Sequence, residues 1–163
     1  MRGRLLFGSG TLAVVLAVGS CKDDVGITVS ERFTATLNGA NEKPTPVTTT
    51  ATGTAKFTYV ADIPAIFYRI DVVGIDSATA AHIHGPADAN SPAGVIVNLF
   101  LGNPIKGLGF TGTLAQGIVG ELGAPVGMTM DSMLVLLRNG NAYVNVHTRI
   151  NGGGEIRGQV TRE

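Results

Sequence analysis

Apolar and polar side chains alternate along most of this chain with a period of two, the period of an extended strand with one face buried. Phe33, Ala35 and Leu37 alternate with Thr34 and Thr36, after which Asn38-Gly39-Ala40-Asn41 supplies turn chemistry and Pro44 and Pro46 prevent regular pairing. From Gly53 to Val60, Ala55, Phe57 and Tyr59 fall opposite Thr54, Lys56 and Thr58; from Ile66 to Val73, Ile66, Tyr68, Ile70 and Val72 fall opposite Arg69 and Asp71. Further strands are predicted from Ala78 to His84, closed by Gly85-Pro86, from Val95 to Leu101, and from about Gly107 to Leu114 beyond a Gly102-Asn103-Pro104 turn. Ala142 to Thr148 and Glu155 to Thr161 read as a closing hairpin around Gly152-Gly153-Gly154, whose register sets what lies beside His147. One segment changes period: Met130, Met133, Leu134 and Leu137 recur at helical spacing, with Thr129 placed to cap the start and Gly140 to end the helix. That spacing makes the methionines core packing against an open edge or end of the sheet, not a soft-metal ligand set. The pattern predicts an all-β protein, an antiparallel Greek-key-like sandwich or barrel of about seven to eight strands with one short helix near residues 130–139.

Composition narrows the setting. The 163 residues suffice for one core, and 23 glycines suit a turn-rich β fold. Twelve basic residues balance twelve acidic ones with no arginine-rich run in the mature chain, which excludes nucleic acid as a partner. Arg2 and Arg4 precede an apolar run from Leu5 to Val18 and the small pair Gly19-Ser20, so residues 1–20 read as an export signal. The run falls short of the roughly 20 apolar residues of a membrane-spanning helix. Val18-Gly19-Ser20-Cys21 resembles the lipobox of bacterial lipoproteins, with Val18 where leucine is commoner. The resemblance implies a lipidated Cys21 as mature N-terminus, a tether over residues 21–31, and a folded domain over 32–162 outside the cytoplasm, at the outer membrane where the host has one. Cys21 is the only cysteine, so no disulfide can form within the chain.

The chemistry concentrates on three histidines. His82 and His84 flank Ile83 on one strand, and His147 follows Tyr143 and Asn145 on a face opposite Val144 and Val146. The apolar partners identify the buried side, which puts all three imidazoles on an outer face that solvent reaches. If the two strands are neighbours, three neutral nitrogens converge on a set suited to zinc, copper, nickel or iron, with positions left open for water or substrate. A shared ion predicts nitrogen separations of about 3 to 4 Å and affinity that falls near pH 6 to 6.5 as protons compete. The alternative is a hydrogen-bonded surface cluster with no ion. Glu155, Arg157 and Gln159 share a face in the last strand; next to His147, Glu155 would orient an imidazole and Arg157 would attract an anion, whereas the plainer reading is a solvated face with an exposed ion pair. Tyr143 and Asn145 are candidate lining groups. Asp88 and Asn90 fit either a cation or a turn.

Three blocks in order, Leu37-Asn38-Gly39-Ala40-Asn41-Glu42, Ala80-Ala81-His82-Ile83-His84-Gly85-Pro86-Ala87, and Ala142 to Thr148 with Gly154-Glu155-Ile156-Arg157-Gly158-Gln159, closely resemble the CHRD domain, the module first described in chordin. The resemblance covers roughly residues 31–162 and implies an all-β extracellular domain with the possibility of a protein partner. The His-x-His strand and the later Val-x-Val-His strand are also similar to the copper side of Cu/Zn superoxide dismutase, which matches His82, His84 and His147 to three copper ligands. The bridging histidine, zinc cluster and cysteine pair of that family are missing, which places dismutase activity in doubt and carries over at most a mononuclear site. No nucleophile has a free histidine as its base, and the acidic residues are too scattered for paired-carboxylate hydrolysis. The expectation is therefore a membrane-anchored CHRD domain binding one metal ion, copper first and zinc second, with no organic cofactor; any catalysis would be mononuclear copper redox chemistry. Its rival is a structural or adhesive protein-binding module without metal.

Overall fold

The computed structural model describes residues 29–163, with side chains from Glu31 onward. The expected signal sequence, Cys21 and most of the tether lie outside the described residues.

The described chain forms β1 (Val29–Asn38), a 3-10 turn (Gly39–Asn41), β2 (Thr52–Val60), β3 (Ala65–Ile75), β4 (Ala78–His84), β5 (Val95–Phe100), β6 (Phe110–Ile118), α1 (Met130–Arg138), β7 (Tyr143–Thr148), β8 (Ile156–Gln159) and β9 (Thr161–Arg162). Every strand pairing is antiparallel, and the hydrogen-bonded path runs β5-β4-β7-β8-β1-β2-β3-β6, with β9 beside β1. The all-β expectation thus holds, with one sheet coiled into a nearly closed barrel. Its two end strands, β5 and β6, approach each other without pairing. Tyr68 of β3 bridges that seam by donating its hydroxyl to the Leu99 carbonyl at 2.7 Å.

Period-two alternation explains the interior. Register places Phe33 opposite Phe57 and Phe57 opposite Tyr68, and Ala35 opposite Ala55 and Ala55 opposite Ile70, so inward-facing residues form continuous rows across strands. Ile83, Val144, Val146 and Ile156 extend the same core beneath the histidine strands. The helix adds Met133, Leu134 and Leu137 to this core, which confirms the methionine stripe as packing. Thr129 caps it through the Ser132 amide at 3.1 Å, Gly140 turns out of it at φ +66°, and Arg138 ties it to Glu31 of β1.

Several boundaries differ from expectation, among them the ends of β3 and β6, which run on to Ile75 and Ile118 beyond the expected Val73 and Leu114. β1 begins at Val29, inside the expected tether, where its residues pair with β2. β6 starts at Phe110 and not near Gly107, because Gly109 takes φ +62° and its amide is bonded to Asp76, leaving Leu108 in an exposed turn. The closing strand breaks at Val160, whose amide bonds to the Ala142 carbonyl at 2.9 Å before the chain moves across to β1 as β9.

Candidate metal centre

The site lies on the outer face of β4, β7 and β8. His82 stands opposite Asn145, which stands opposite Arg157; His84 stands opposite Tyr143, which stands opposite Gln159; Ala80 stands opposite His147. Strands some sixty residues apart in sequence are thereby neighbours, and the side-chain period puts all of these residues on one face. The three imidazoles form a nearly equilateral triangle, with ring centroids 4.8 Å (His82–His147), 5.6 Å (His82–His84) and 5.7 Å (His84–His147) apart.

This face is only partly open to solvent, less than the sequence leads one to expect. The loop after β4 folds back over it and is held down by side chains from the face itself: Arg157 donates to the carbonyls of Asp88 (3.0 Å) and Ser91 (2.9 Å), and Gln159 donates to that of Ala87 (2.8 Å). Tyr143 exchanges hydrogen bonds with both the amide and the carbonyl of Ala93. The glycine turn before β8 closes the other end, where Gly154 at φ +133° packs so tightly on Asn145 that a Cβ would sit 2.3 Å from its amide nitrogen. His84 is consequently only 7% exposed and Arg157 2%, while His82 and His147 are half-buried.

Hydrogen bonding fixes two of the ring tautomers. His84 Nδ1 lies 3.0 Å from the Ala93 carbonyl and His147 Nδ1 lies 3.1 Å from the Gly152 carbonyl. A carbonyl only accepts, so each Nδ1 carries the proton and each Nε2 presents a lone pair. These two Nε2 atoms, together with His82 Nδ1, are buried and without a hydrogen-bond partner among the described residues. One nitrogen from each ring can be chosen so that all three lie within 4.8 Å of one another. The spread exceeds the separations of about 3.5 Å expected around one ion, so the rings would close by about an ångström on binding. Buried orphan nitrogens are costly unless something occupies them.

Electrostatics keep the rings neutral. Burial, and secondarily the neighbouring His147 and His84, push His82 down to about 4. Burial also takes His84 to about 4, against the opposing pull of its Ala93 bond and with help from His147 and Arg157. His147 is lowered by burial, opposed by its Gly152 bond. Proton competition is thus shifted below the window near pH 6 to 6.5 expected from the sequence.

The other expected residues take specific places. Tyr143 stacks on His84 and, on its other contact, carries the Arg157 guanidinium 3.5 Å from its ring centre. Glu155 does not orient an imidazole: its carboxylate accepts from Thr49 (2.8 Å), Thr148 (2.7 Å) and Asn151 (3.2 Å), stitching the loop before β2 to the β7–β8 turn. Nor is this a solvated face, since Glu155 and Arg157 are both buried. Asp88 behaves as a turn residue, accepting from the Asn90 amide at 2.9 Å. Sequence reasoning missed Glu42, which is 3% exposed and accepts from Asn145 at 3.2 Å. Burial raises its carboxyl to about 7, opposed by the Asn145 bond and Arg157. The signal available was a lone acid directly after the Asn38–Asn41 turn in a chain with few charges.

Comparison with known proteins gives a consistent picture of ancestry. The family model of the CHRD domain matches residues 33–160. Chordin from Xenopus laevis is 34% identical over 99 residues, a stretch that covers 58% of this chain and 9% of chordin. No solved structure matches.

Proposed function

The chain belongs to the CHRD domain family, and from that premise we propose that it is an exported CHRD module, tethered to the cell envelope through a lipidated Cys21, whose His82, His84 and His147 bind one transition-metal ion, copper before zinc. The observation that carries this reading is the set of three buried, partnerless nitrogens, one per ring, with two of their tautomers fixed by carbonyls on the far side. Such carbonyl bonds are the usual means of orienting a metal-binding imidazole. The ligand set is neutral, preformed to within about an ångström and enclosed by ordered loops. This favours holding an ion over turning over a substrate, and envelope redox chemistry is the catalytic extension of the same site.

A protein-binding role without metal is supported by the similarity to chordin. On that reading the histidines only knit the covering loops to the sheet through the Ala93 and Gly152 carbonyls. The two separate in one experiment: protein purified without a histidine tag is loaded with copper or zinc, desalted, and its metal content measured. About one ion per chain, lost in His82→Ala and His147→Ala, supports the metal reading. A metal-free protein of undiminished stability supports the other.

A further inference from the structure

We infer that the three-histidine site selects monovalent copper over divalent ions. This rests on the metal reading above and concerns the charge that the site can hold. All three donors are neutral imidazoles, and among the described residues no carboxylate or thiol joins their cluster. A bound ion therefore keeps its whole formal charge. The donor nitrogens are shielded from solvent, and the cost of holding a charge away from water rises with the square of that charge, so a divalent ion is penalised about four times as heavily as a monovalent one.

The surroundings add to this penalty. The Arg157 guanidinium is buried, lies against Tyr143, and has no ion-pair partner among the described residues. Tyr143 in turn stacks on His84, so a buried positive charge without a direct ion pair sits one ring away from a ligand. Two acids act on Arg157 from a distance: Asp88, in an exposed turn, and Glu42, whose carboxyl burial raises to about 7, so that it offsets Arg157 only in part at neutral pH. Coordination number points the same way. Zinc in protein sites takes four ligands, and among the described residues no carboxylate or thiol supplies the fourth, which would have to be water or an anion. A filled-shell monovalent copper ion is satisfied by three nitrogens.

The test titrates protein lacking a histidine tag with Cu(I) under anaerobic conditions against a chromophoric Cu(I) chelator, and separately with Cu(II) and Zn(II). The expected result is one Cu(I) per chain, bound at least about 100-fold more tightly than either divalent ion. Ala80→Asp adds a carboxylate at a half-buried position opposite His147 on the histidine face; it should narrow that preference by about tenfold or more. Equal or tighter binding of Cu(II) or Zn(II) overturns the inference while leaving the metal reading intact, as does an unchanged preference in folded Ala80→Asp. Should that variant not fold, the wild-type ratio decides alone. Failure to bind any of the three ions overturns both readings.

Discussion

His84 and Tyr143 lie face to face across β4 and β7, their ring centres 4.9 Å apart and their planes within 5° of parallel. The phenol hydroxyl is anchored to Ala93, the same residue whose carbonyl holds His84 Nδ1. One ring thus positions the imidazole both by stacking and through the covering loop. Tyr143→Phe removes the anchor but keeps the stack, and should cost about 1–3 kcal/mol in urea denaturation with metal stoichiometry unchanged. Tyr143→Leu removes the stack and the Arg157 contact as well. It should cost about 1–2 kcal/mol more and weaken copper binding by about tenfold. Equal metal affinity in the two variants would show that the stack does not position His84.

Glu155 is predicted to act on stability alone. Its three bonds join loops at the edge of the site without touching an imidazole. Glu155→Ala should lower unfolding free energy by about 2–4 kcal/mol, the cost of leaving buried donors unpaired. Copper stoichiometry in the folded variant should stay at the wild-type value. A loss of metal at unchanged stability would return Glu155 to the role that the sequence suggested.

The covering turn depends on a residue without a side chain. Gly154→Ala places a methyl group 2.3 Å from the Asn145 amide at a φ of +133°. Strain of both kinds should destabilise the protein by about 2–4 kcal/mol. A thermal or urea midpoint indistinguishable from wild type would mean that the turn moves freely off the sheet.

Much of the fold was legible because its cause is local and periodic. The alternation of Phe33, Ala35 and Leu37, and of Ile66, Tyr68, Ile70 and Val72, marks the core face by itself, and the Met130–Leu137 spacing with Thr129 marks the helix with its cap. The shared face of His82 and His84 follows from the same period. What period alone does not contain is what lies above a face. The Asp88–Ala93 loop and the Gly152–Gly154 turn cover the histidines through bonds to main-chain carbonyls, which any residue type provides, so nothing in their composition announces the contact. Glu42 was overlooked for a related reason: its partners, Asn145 by a hydrogen bond and Arg157 by charge, lie more than a hundred residues away. Strand limits failed where single glycines set them, as at Gly109.

Metal-free protein should lose stability on acidification. His82 and His84 titrate near 4 when folded against an ordinary value of 6.5, and His147 is lowered too, so the unfolded chain binds more protons between these limits. Stability contributed by the neutral rings is present above pH 6.5 and lost as pH falls towards 4. Glu42 has the opposite sign: raised from 4.5 to about 7, it favours the folded state most at low pH, and that contribution is lost as pH rises through 7. The histidines outnumber it, so stability should climb from pH 4 to 6.5, and Glu42→Gln should steepen the climb. Urea titrations across this range check both. A flat profile in wild type, or a shallower one in Glu42→Gln, contradicts the assignment.

A shared ion engages three particular nitrogens, one from each ring. Protein labelled with ¹⁵N in its three histidines, examined by NMR before and after loading with diamagnetic Cu(I) or Zn(II), reports on each nitrogen separately. Large shifts are expected at His82 Nδ1, His84 Nε2 and His147 Nε2, with the Nδ1 protons of His84 and His147 retained on their carbonyls. Unshifted rings, or shifts confined to one of them, would contradict a shared ion.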